Sequence, residues 1–128
     1  MMETNFVISG RVAQGKQLGR TLGFPTANIE SELALDPAFC GVYAAHTQIG
    51  GVRYAAVVNI GRHPTFPEGP ATVEAHLVDF TGDLYGQELN LTVEAHLRGE
   101  MRFPDGQALA KQLRQDIEAA KSLIEQDR

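Results

Sequence analysis

Tryptophan is absent from this chain, and cysteine occurs once, as Cys40. A lone thiol closes no internal disulfide, so an ordinary apolar core has to hold the fold, and a reduced, cytoplasmic setting is expected. Basic residues are also scarce: 11 Lys and Arg stand against 16 Asp and Glu, a net charge of -5 with no basic stripe. That balance argues against a nucleic-acid partner and confines any phosphate affinity to one place. No run approaches the roughly 18 apolar residues of a membrane span, and the first ten residues lack the apolar stretch of a signal peptide. No membrane partner is therefore expected. What remains is 128 residues, 43% of them hydrophobic, which suits one domain over 1–128 and leaves no room for a second catalytic domain.

Glycine, by contrast, is concentrated. Gly10, Gly15, Gly19 and Gly23 lead into Phe24-Pro25-Thr26-Ala27-Asn28. Glycines this dense let backbone N–H groups approach an anion, and Lys16 and Arg20 add positive charge beside them, so the stretch reads as a phosphate cradle. Thr26 and Asn28 add a hydroxyl and an amide oxygen, hard donors of the kind magnesium accepts. Gly10 to Lys16 also spells G-x-x-x-x-G-K, but Gln17 stands where a P-loop needs a hydroxyl, and Gly19, Gly23 and Pro25 would break the helix that a P-loop opens. The P-loop reading is rejected and the phosphate affinity kept.

Period-two alternation marks strands over residues 6–12, 42–49, 52–60, 72–78 and 88–97, with Gly50-Gly51 a two-residue hairpin signal. Pro64, Pro67, Gly69 and Pro70 mark a long loop. After Pro104-Asp105-Gly106 the period becomes helical over about 106–126. Leu109, Leu113, Ile117, Ala120 and Ile124 share one face, and Asp105 is the expected cap. Hairpin connections throughout favour a mainly β sandwich or closed antiparallel barrel. The string Val-Glu-Ala-His-Leu occurs twice, at 73–77 and 93–97, each time with Glu and His on one strand face. His46, His63, His76 and His96 show no metal-ligand spacing, no serine sits in a nucleophile elbow, and Cys40 reads as an inert thiol at a strand start.

These residues carry a resemblance. The Gly10–Asn28 stretch, Gly41-Val-Tyr-Ala44, Asn59-Ile-Gly-Arg-His-Pro-Thr-Phe66, Val73-Glu-Ala-His-Leu77, Asp83-Leu-Tyr-Gly86, Leu97-Arg98 with Glu100 and Phe103, and the helix bearing Asp116 together resemble the riboflavin kinase family from about residue 6 to 126. The resemblance implies a closed six-stranded antiparallel Greek-key β-barrel with a C-terminal α-helix. It implies transfer of the γ-phosphate of ATP to the 5′-hydroxyl of riboflavin, giving FMN and ADP, by a cytoplasmic monomer using Mg2+. A catalytically silent flavin- or nucleotide-binding module, and the excised kinase half of a bifunctional FAD synthetase, are the alternatives. By similarity Glu74 is the catalytic base, and Gly15, Lys16, Gly19, Arg20 and Thr26 hold the nucleotide. Thr26 and Asn28 hold the metal, Asn28 and Arg98 face the substrate, and Tyr85 and Phe103 border the flavin ring. Glu94 matches no family site. Gln14 departs from the His or Arg common in that family just before the glycine-rich flap, and His63 is assigned no chemistry.

Overall fold

Alternation along the first strand turns Ile8 and Val12 into a shared apolar interior and leaves Val7 and Ser9 outside. The computed structural model of the chain describes residues 3–13, 26–31, 36–61 and 72–126. Within them run β1 (Glu3–Ala13), β2 (Ala27–Ile29), β3 (Gly41–Ile49), β4 (Val52–Gly61), β5 (Thr72–Leu77), β6 (Glu88–Arg98) and one helix, α1 (Gly106–Gln126). The strands close a barrel in the order β1-β2-β5-β4-β3-β6, every neighbouring pair antiparallel. Strands β3, β4 and β5 follow one another, and β6 returns beside β3, which is the Greek key.

Two sequence expectations need correction. Connections are not hairpins throughout: β5 and β6 are separated by β4 and β3, and the chain crosses the barrel end between Val78 and Gln87. The sixth strand is the short β2, which takes Ala27 and Asn28 out of the glycine-rich loop and into the wall. Gly10 likewise lies inside β1 opposite Leu89, where an added Cβ would collide with the Glu30 carbonyl. That close approach, rather than phosphate binding, explains its glycine.

One core fills the barrel, with Ile8, Val58, Ile60, Val73, Leu91 and Val93 each at most 1% exposed. Gly50 and Gly51 form the β3–β4 turn with φ of 59° and 80°, both positive as a type I′ hairpin requires. Helix α1 opens where Asp105 Oδ1 accepts the Ala108 N–H at 2.8 Å. It lays Ala120, Ile117 and Leu123 on Val42, Ala44 and Val57 of the outer wall. Each large apolar side chain fully buried in such a seam stabilises by about 1.5–3 kcal/mol.

Barrel closure requires a stagger between the first and last strands, and here that stagger builds a row. Ala13 pairs with Asn28, Asn28 with Glu74, Glu74 with Asn59, Asn59 with Val42, and Val42 with Arg98. The row starts beside Gly86, whose N–H reaches the Val12 carbonyl at 2.8 Å, and comes back to β6 at its far end.

Candidate active site

Val73, Ala75 and Leu77 belong to the interior core, so Glu74 and His76 leave β5 on the outer face of the barrel. Glu74 is nevertheless only 4% exposed. A buried carboxylate needs hydrogen-bond donors, and two hydroxyls supply them. Thr26 Oγ1 donates to Oε1 at 3.1 Å, and Thr72 Oγ1 donates to Oε2 at 3.3 Å.

The neighbours of Glu74 across the ladder are Asn28 on β2 and Asn59 on β4. Directly opposed residues bring their Cβ atoms to about 5 Å, so three polar side chains stand shoulder to shoulder on one outer patch. Asn28 Oδ1 is buried and accepts no hydrogen bond among the described residues. An orphaned buried acceptor calls for a ligand that the protein does not itself provide. Thr26, two residues earlier, spends its one hydroxyl proton on Glu74 and keeps its lone pairs. A hydroxyl oxygen and an amide oxygen, both free to donate electron pairs beside a carboxylate, fit a hard divalent cation.

Arg98 stands in the same row, three strand spacings of about 4.8 Å, or about 14 Å around the wall, from Glu74. Its guanidinium is taken up by Asp116 of α1: Nε lies 3.2 Å from both carboxylate oxygens and Nη2 lies 2.9 Å from Oδ2. Nη1 donates to the Gly99 carbonyl at 3.2 Å, and the guanidinium carbon sits 5.7 Å from the centre of the Phe103 ring. Arg98 and Phe103 are therefore brought together. Tyr85 is not: it is 59% exposed on the turn before β6, at the opposite end of that strand from Arg98. A cleft of about 520 Å³ opens near that turn between β3 and β6, lined by His46, Leu84, Gln87 and Asn90, and contains none of the expected site residues.

Glu94, the twin of Glu74 in the repeated pentapeptide, pairs with His46 Nδ1 at 2.9 Å on the β3–β6 side. Cys40 is half-buried, and burial, then Glu100, then Asp36, push its thiol up from its ordinary value, so it is a poor nucleophile. No cluster of three or more His, Cys, Asp or Glu suited to a metal occurs among the described residues. No helix among them is long and apolar enough to cross a membrane. Gly15, Lys16, Gly19 and Arg20, with Gln14 and His63, lie outside the described residues. Thr72 escaped the sequence reading, although its signal was there: it precedes Glu74 by two residues and so shares its strand face.

The family model for riboflavin kinase matches residues 2–124. The bifunctional riboflavin kinase/FMN adenylyltransferase of Pseudomonas fluorescens is 41% identical over 119 residues, 92% of this chain and 38% of that protein. The RNA-binding riboflavin kinase RibR of Bacillus subtilis is 36% identical over 120 residues, 93% of this chain and 51% of that protein. Among solved structures, the riboflavin kinase of Trypanosoma brucei superposes with a TM-score of 0.67 at 26% identity, over 94% of this chain and 80% of that one. The chain spans 38% of the length of the bifunctional relatives it matches. With a family model covering nearly its whole length and the same barrel recurring in a solved member, this chain belongs to the riboflavin kinase family.

Proposed function

We propose that this chain transfers the γ-phosphate of ATP to the 5′-hydroxyl of riboflavin, giving FMN and ADP. The observation that carries the reading is the buried Glu74 carboxylate, held by Thr26 beside the open oxygen of Asn28. Phosphoryl transfer to an alcohol asks the protein to align two substrates, neutralise charge and take up one proton. Glu74 Oε1 accepts that proton as the alcohol oxygen attacks phosphorus; the bond from phosphorus to the bridging oxygen breaks, and ADP leaves with its electron pair. Asn28 orients the ribityl hydroxyls from one side of Glu74.

Thr26 and Asn28 are the residues that would hold a divalent cation, Mg2+ in our reading, and when bound it neutralises phosphate charge and fixes the triphosphate. Gly15, Lys16, Gly19 and Arg20 hold the phosphates through backbone N–H groups and side-chain charge. Arg98 and Phe103 face the flavin from the far end of the row, and Tyr85 borders it from the turn before β6. The acidic balance of the chain speaks for small-molecule partners rather than nucleic acid, and its lone cysteine for a reduced, cytoplasmic setting.

Incubation with riboflavin, ATP and Mg2+, followed by chromatography, should yield FMN and ADP in equal amounts. Binding of both substrates with no FMN formed would overturn the reading in favour of a silent flavin-binding module.

A further inference from the structure

Thr72 is the first residue of β5 and stands opposite Gly61, which brings no side chain to the pair. Its hydroxyl reaches Glu74 Oε2 at 3.3 Å, while Thr26 holds Oε1 at 3.1 Å. A glutamate carboxyl group turns about a broad terminal torsion, so one hydrogen bond leaves its plane poorly defined. Two donors on two different oxygens, arriving from β5 itself and from the residue before β2, fix that plane. Each carboxylate oxygen accepts more than one hydrogen bond, so Oε1 can hold Thr26 and still receive a substrate hydroxyl. The Thr72 contact is long for an O–H···O bond, whose usual length is about 2.7–2.8 Å. It therefore contributes little to stability and acts mainly on direction.

We propose that Thr72 is a positioning residue for phosphoryl transfer: by tethering Oε2 it aims Oε1 of Glu74 at the attacking hydroxyl. This role rests on the riboflavin kinase reading of the site. Thr26 holds the other oxygen, Oε1, from the nucleotide side. A general base works only within about 2.6–3.2 Å of the proton it removes, and a misplacement of about 1 Å costs on the order of 100-fold in rate.

The test compares Thr72→Val, which keeps the shape and loses the hydroxyl, with Thr72→Ser, which keeps the hydroxyl, by steady-state kinetics and thermal unfolding. The expected result is a fall in kcat of roughly 10- to 100-fold for the valine variant, with KM for ATP and the unfolding midpoint nearly unchanged and rate restored by serine. A valine variant as fast as the wild-type chain overturns the positioning role and leaves the kinase reading standing. Serine as slow as valine, or a loss of rate that follows a loss of folded protein, overturns it as well. A wild-type chain that makes no FMN removes the kinase reading and the positioning role together.

Discussion

Replacing Asp116 by alanine should lower the free energy of unfolding by about 3 kcal/mol. Arg98 and Asp116 tie the last residue of β6 to the middle of α1, with their side chains only 15% and 4% exposed. Three nitrogen–oxygen contacts of 2.9–3.2 Å join them, and Gln112 Nε2 adds a fourth contact to the carboxylate at 3.0 Å. Removing one partner from a buried ion pair costs about 3–5 kcal/mol, because the other charge is left without compensation. Here the stranded guanidinium keeps the Gly99 carbonyl and the Phe103 ring, the latter worth about 0.5–1 kcal/mol, which places the cost at the lower end. For a chain of this size that is a fall of roughly 12 °C in Tm. Urea denaturation followed by circular dichroism measures it without the salt that guanidinium would add. The double variant Arg98→Met, Asp116→Leu removes both charges for apolar groups of similar bulk and should recover stability to within about 1 kcal/mol. A loss below about 0.5 kcal/mol in Asp116→Ala, or a double variant as weak as the two single changes combined, would refute the reasoning. The recovered double variant also separates two duties of Arg98: if it folds but no longer binds riboflavin, the guanidinium serves the substrate as well as the helix.

Glu74→Gln should reduce turnover by roughly 10²- to 10⁴-fold with nucleotide binding intact, while Glu94→Gln, which breaks only the pair with His46, should leave turnover unchanged in the same assay. Thr26→Ala should weaken ATP binding only when Mg2+ is present, as read by isothermal titration with and without the metal; equal loss in both conditions would remove the metal-ligand assignment. Cys40 should react with a disulfide reagent at pH 8 more slowly than a free thiol, since burial first and the Glu100 and Asp36 carboxylates next raise its pKa. The folded chain holds that proton more tightly than the unfolded one, so the stability it contributes is complete below the unfolded thiol's pKa and is lost as pH rises through the folded value. An unhindered reaction rate at pH 8 would contradict this.

What could be read directly from the chain were the features written in local physics. Helix α1 runs over Gly106–Gln126 because an apolar stripe of period 3.6 and the Asp105 cap lie within the segment itself, and the β3–β4 hairpin follows from two adjacent glycines that accept positive φ. The glycine-rich run, Thr26, Asn28 and Glu74 were recognisable as a set through the resemblance to riboflavin kinases. Strand β2 was not legible, because three residues carry no alternation and become a strand only with β1 on one side and β5 on the other. The pairing of Arg98 with Asp116 was equally hidden, since it joins the end of β6 to a later helix face.

The repeated pentapeptide draws the line most clearly. Two identical strings, Val73–Leu77 and Val93–Leu97, have the same propensity and the same alternation, so local sequence assigns them the same prospects, yet register shifts between β3 and β6 turn His96 inward against Tyr43 while His76 stays on the outer face. The barrel seats β5 between β2 and β4, which sets Glu74 against Thr26 and beside Asn28, and seats β6 between β1 and β3, which sets Glu94 against His46. Sequence determined the alternation within each strand; strand order and register, properties of closure and stagger around the whole barrel, decided which face the residues at the end of β6 take and what each carboxylate meets.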